Sequence, residues 1–217
     1  MKYHIQTTLI WDTFKKRDGC PISKIYRICS DRLVSQYLNE AVMESDYRTS
    51  VNRRGFCSYH LEDLYNGKNK LGLALQLSTR TDFLLENIKP FSNSKKTKKK
   101  IQKLKELTNT CVICDEVNDM MTRYSKTIAI MFFNDEKFRN EFKISSGFCF
   151  KHYILLLEHS SNSKKAEKEY IDALHRIMFN NLTKANNVTK KFCNSFDHKN
   201  TEKSDPKAIK EMVEKYL

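Results

Sequence analysis

Glycine and proline are scarce in this chain, five and three among 217 residues. So few breaking points argue against a turn-rich sandwich or barrel and favour long helices. No segment alternates apolar and polar residues for long enough to make a strand. No run of about 18 apolar residues occurs, so no helix spanning a membrane is expected. The first twelve residues, Met1 to Asp12, lack the apolar core and small-residue cleavage site of a secretory leader. A cytoplasmic location is therefore expected, where thiols stay reduced. The odd count of seven cysteines likewise favours ligands and core residues over a disulfide framework. Haem attachment is excluded at Cys111–Cys114, because Asp115 rather than histidine follows.

What the chain has in excess is positive charge: 39 Lys and Arg against 26 Asp and Glu, a formal net charge of +13. Most of the lysines are interleaved with acids, which reads as solvated helix faces. The exception is the run holding Lys95, Lys96, Lys98, Lys99 and Lys100. It can contact phosphates, so a basic nucleic-acid binder stays open as an alternative. No interleaved aromatics or known recognition motif add to it.

Apolar spacing predicts an all-α fold. A first helix falls over residues 7–17. A second starts at Cys20-Pro21, with proline in the tolerated first turn, and runs to about Met43. Residues 46–54 are polar and read as containing a turn. Short helices follow Gly55-Phe56-Cys57 and Gly147-Phe148-Cys149. A longer one carries Leu71 to Ile88 and is stopped by Pro90. Ser92 to Lys100 reads as a solvated connector that becomes helical by Ile101. Residues 113–133 form a strongly apolar helix, followed by a short one capped at Asn134. A long amphipathic helix covers about 164–190, and a last one starts at Asp205-Pro206.

The chemistry-bearing residues fall into two parallel sets. Cys20-x-x-Ser23 is followed by Gly55-Phe56-Cys57-x-x-His60, and Cys111-x-x-Cys114 by Gly147-Phe148-Cys149-x-x-His152. Cys20 and Cys111 stand 91 residues apart, Cys57 and Cys149 92 apart. Two matches in register, with a helix before and after each, indicate an internal duplication. The expected organisation is a first repeat over 1–91, a basic connector and helix over 92–107, and a second repeat over 108–217. Both repeats are expected to pack as one bundle-like unit, with the Cys/His sites at helix N-termini.

This doubled pattern resembles an uncharacterised family of bacterial cytoplasmic proteins, a domain of unknown function. Asn69 to Leu75 and Phe196 to Asn200 share in the resemblance. It covers nearly the whole chain and implies a helical protein with Cys/His sites of metal-binding type. It implies no reaction.

Cysteines at i and i+3 lie on one side of a helical turn, so both sulfurs can face one ion. Cys111, Cys114, Cys149 and His152 together make the Cys3His shell that Zn²⁺ favours, and they are expected as the intact site. An iron–sulfur cluster is the main rival. A thioredoxin-like redox pair lacks its βαβ context. Cys20, Cys57 and His60 are expected as a degenerate second site, because Ser23 is a poor ligand for a soft metal. Cys29 lies about 120° round the helix from Ser23 and does not replace it. The degenerate site is either a decayed cluster or a three-ligand metal with an open position. In the open form it would serve a metal-dependent or redox enzyme, although neither Glu62 nor Asp63 can be assigned as its general base. His159, His175 and His198 read as surface or cap residues, and Cys193 as an ordinary thiol.

Overall fold

The computed structural model describes residues 5–88, 94–108, 110–160, 164–196 and, near the C-terminus, 206, 207, 209, 210 and 213. Pro90, Asn93, Asn109, His198 and most of the expected terminal helix lie outside these. Among the described residues the fold is all-α, with no strand. The helices are α1 (Ile5–Lys15), α2 (Pro21–Leu38), α3 (Ser45–Arg54), α4 (Ser58–Asn66), α5 (Lys70–Asn87), α6 (Ser94–Glu106), α7 (Val112–Asn134), α8 (Glu136–Lys143), α9 (Phe150–Glu158) and α10 (Lys164–Asn194). A 3₁₀ turn, Glu40–Val42, follows α2. No described helix is long and apolar enough to cross a membrane.

Expected and observed elements differ in three instructive places. Residues 45–54 are a helix, although only Val51 is buried on it. Its hold is tertiary: the buried Arg80 of α5 donates to the Asn52 carbonyl. The lysine run is helical from Ser94, in keeping with the good helix propensity of Lys. The cap of α8 is Asp135, whose side chain accepts from the Phe138 N–H at 3.1 Å, rather than Asn134.

The chain divides into two compact units, one of residues 27–120 and one of 1–26 with 121–217. The division does not follow the boundary expected between a first and a second repeat. Helices α2 and α7 each begin in one unit and end in the other.

The unit of residues 27–120 packs α3 and α4 against α5. Its core includes Leu33, Tyr37, Leu38, Val51, Leu64 and Leu73. Tyr37, fully buried, donates to Glu116 Oε1 at 2.5 Å and meets the Phe56 ring edge-on at 5.7 Å. Gly72 is required by space: a Cβ there would come within 2.1 Å of the Leu38 carbonyl oxygen.

The other unit is built on aromatic rings. Phe14 of α1, Phe132 of α7, Phe138 and Phe142 of α8, Phe148 and Tyr170 of α10 are all fully buried. Their centroids stand 5.1 to 6.2 Å apart in the contacts Phe14–Phe138, Phe14–Phe148, Phe142–Phe148 and Phe132–Tyr170. Edge-on and offset contacts of this kind add about 0.5–1.5 kcal/mol each beyond burial. Phe148 anchors the residue next to Cys149, so this core fixes the backbone that presents the second Cys/His pair.

Candidate metal centres

The seven ligand-type residues gather into two groups, in a partition that spacing alone did not suggest. Cys57, His60, Cys111 and Cys114 form one, with donor atoms within 4.8 Å of one another. Cys20, Cys149 and His152 form the other. The expected intact set, Cys111, Cys114, Cys149 and His152, is thus not one cluster, nor is Cys20, Cys57 and His60. Cys20 and Ser23 meet Cys149 and His152, and Cys111 and Cys114 meet Cys57 and His60, so each opening pair meets the closing pair of the other expected repeat. The physical reason lies in α2, along which Ser30 stands seven residues beyond Ser23, a rise of about 10 Å. His60 folds back onto Ser30, in the second half of that helix, and not onto its first turn at Cys20 and Ser23.

The first group lies wholly within residues 27–120. Cys57 is the N-cap of α4 with extended backbone, φ −75° and ψ 166°. The preceding Gly55 takes φ +68°, a left-handed region that favours glycine. Cys111 directly precedes α7 and Cys114 sits in its first turn. Backbone straps join the two segments: Val112 N–H donates to Gly55 O at 3.1 Å, and Thr110 Oγ1 to Arg54 O at 2.7 Å. Arg80 reaches both sides, donating to Asn52 O and, at 2.9 Å, to Leu107 O.

His60 Nδ1 stands 3.3 Å from Cys57 Sγ, 3.4 Å from Cys111 Sγ and 3.3 Å from Cys114 Sγ, and the Cys57 and Cys114 sulfurs are 3.7 Å apart. A tetrahedral ion with Zn–S of about 2.3 Å and Zn–N of about 2.0–2.1 Å would set S···N edges near ~3.6 Å and S···S edges near ~3.8 Å. The three S···N distances and the Cys57–Cys114 S···S distance match those edges within a few tenths of an ångström, and all four donor atoms lie within 4.8 Å of one another. Ligation through Nδ1 needs the proton on Nε2, and the buried Ser30 Oγ lies 3.1 Å from Nε2, placed to accept it. Burial holds the His60 pKa below its ordinary value, which favours the neutral, ligating form. Burial also raises the thiols, Cys111 upward and Cys114 to about 12. A metal entering this group must therefore displace thiol protons.

The second group lies within residues 1–26 and 121–217. Cys149 is the N-cap of α9 with φ −71° and ψ 159°, and Gly147 before it takes φ +108°. Cys20 directly precedes α2, and Ser23 sits in its first turn. Here Ser146 Oγ donates to Gly19 O. Pro21 stands where Val112 stands in the other group and has no N–H to offer. His152 Nδ1 lies 3.0 Å from Cys149 Sγ, 3.6 Å from Cys20 Sγ and 3.1 Å from Ser23 Oγ, with Ser23 Oγ 3.8 Å from Cys149 Sγ. Three donors and a hydroxyl therefore occupy four corners of a similar size. A hydrogen bond from Cys20 pulls the Cys149 pKa down to about 3, and His152 assists; the same contact, together with burial, drives Cys20 up.

Both groups can hold a metal ion, and all seven cysteines are thiols rather than disulfides. Cys29, buried on α2, and Cys193, exposed near the end of α10, belong to neither group. His159 caps α9 with Nδ1 near Leu155 O, and His175 pairs with the Tyr153 hydroxyl. Spacing did not reveal Ser30 or Arg80. A serine and an arginine inside helices carry no local signal of a tertiary role.

Neither the curated proteins nor the solved structures contain a match to this chain. A family model does match, over residues 1–215: the chain belongs to the Family of unknown function (DUF6062).

Proposed function

We propose that this protein binds two metal ions, zinc by preference, one in each compact unit, and serves as a metal-stabilised helical interaction or regulatory module. The observation that carries the proposal is the set of four donors at Cys57, His60, Cys111 and Cys114 with tetrahedral spacing, backed by Ser30 on the far ring nitrogen. Zinc is the default for a closed Cys3His shell. When bound it would join the α4 and α7 N-termini across more than 50 residues of chain, so its binding energy would be folding energy. Three thiolates and a neutral imidazole leave the ion with one net negative charge. The positive ends of α4 and α7 offset it. A positive-φ glycine followed by an extended cysteine at both 55–57 and 147–149 supports the duplication read from the sequence.

Elemental analysis and an absorption spectrum of anaerobically purified protein test the reading. The expected result is two zinc ions per chain with no visible band. Iron with a brown chromophore would assign a cluster instead, and negligible metal in aerobic and anaerobic preparations would remove the sites altogether.

A further inference from the structure

We infer that the group at Cys20, Cys149 and His152 holds its metal with an exchangeable fourth position, and that this position takes a small exogenous thiol as thiolate. The inference rests on the two-site reading above and deepens it. Ser23 Oγ occupies the corner that Cys114 fills in the other group, at 3.1 Å from His152 Nδ1 and 3.8 Å from Cys149 Sγ. A neutral hydroxyl is a weak ligand for a soft-binding ion, so it holds that corner without closing it. Cys20 and His152 are buried, whereas Ser23 and Cys149 are partly exposed, so the weak corner is the one solvent reaches.

Charge selects the class of ligand. Two thiolates and a neutral imidazole balance a divalent ion, so this site carries no net charge where its counterpart carries one negative charge. Yet the same positive setting surrounds it: the N-termini of α2 and α9 converge there. Lys151 adds a cation, lying 5.4 Å from the Tyr26 ring, which in turn stands 6.5 Å from the His152 ring. An anionic sulfur would restore both the charge and the Cys3His-like donor set found in the other unit. The exchange is a substitution: the incoming thiol yields its proton to solvent, its sulfur binds, and the Ser23 hydroxyl leaves. No electron is transferred.

The test uses the full chain loaded with Co²⁺, whose sulfur-to-metal charge-transfer absorption scales with the number of bound thiolates, and 2-mercaptoethanol as the probe. Wild type should bind two cobalt ions. On thiol addition its charge-transfer band should rise by about a fifth, as the five protein thiolates of the two groups are joined by a sixth, and then saturate. Ser23→Ala, which keeps Cys20, Cys149 and His152 and removes only the weak hydroxyl, should show the same rise at several-fold lower thiol concentration. Ser23→Cys should start at the raised intensity and not respond. Two bound ions with no rise in either wild type or Ser23→Ala would overturn the inference while leaving the two-site reading intact. So would an equal rise in Ser23→Cys, or loss of cobalt on desalting after thiol addition. Failure of every variant to retain cobalt would overturn both.

Discussion

At the scale of single residues, the least visible contributor is Ser30. Metal-ligating histidines almost always carry a partner on the other ring nitrogen, and its loss typically weakens metal affinity about 10–100-fold. Ser30→Ala should have that effect on the ion held by Cys57, His60, Cys111 and Cys114, measured by competition with a chromophoric chelator. Equal affinity in wild type and variant would reduce Ser30 to a packing residue. Tyr170 offers the opposite case. Its hydroxyl, in the aromatic core, is buried with no hydrogen-bond partner among the described residues. A buried unsatisfied hydroxyl costs about 1–3 kcal/mol. Tyr170→Phe should therefore raise the thermal midpoint, and a fall would show that the hydroxyl is satisfied in solution.

Among the elements, the crosswise pairing of helix starts is the finding that spacing could not supply. The i, i+3 pairs, the glycines before each closing cysteine and the capping positions were all legible locally. Which pair meets which depends on where α2 and α7 carry the chain. Cysteine labelling decides the partition directly. In the double variant Cys111→Ala, Cys114→Ala loaded with zinc, Cys57 should become reactive to alkylation and Cys149 should stay protected, as read by mass spectrometry. Loss of protection at Cys149 would instead favour a shared site of Cys111, Cys114, Cys149 and His152. The turn before α9 provides a stability test. Gly147 has φ +108°, and a Cβ there would come within 1.5 Å of Asn181 Nδ2, the group that donates to Ser146 O at 3.2 Å. Gly147→Ala should destabilise by about 1–3 kcal/mol from backbone strain alone. The lost Asn181 contact would add to this, and chemical denaturation would report the sum.

For the whole molecule, the buried tyrosines set an alkaline limit. Burial raises the phenol pKa of Tyr37, Tyr153 and Tyr170 above the ordinary value. Above the unfolded value of about 10 the folded state therefore binds more protons than the unfolded one, and stability falls as pH rises. Below that pH these groups contribute their full share. Unfolding followed by circular dichroism should accelerate above about pH 10, in step with tyrosinate absorption. Ionisation of every tyrosine, the exposed Tyr59 and Tyr65 and the buried three alike, with the fold still intact would contradict this.

The sequence by itself determined the helical class, the seven ligand-type side chains and their arrangement in pairs at helix starts, because periodicity, capping and i, i+3 spacing are properties of a few consecutive residues. It also determined that one group would lack a thiolate, since Ser23 stands where the other has Cys114. Only the tertiary structure decided which pairs combine, and that Ser30 and Arg80 support them. Along α2, Ser30 stands about 10 Å beyond Ser23. Each closing pair can then be reached only by the opening pair that the fold delivers to it, and no local spacing encodes that delivery.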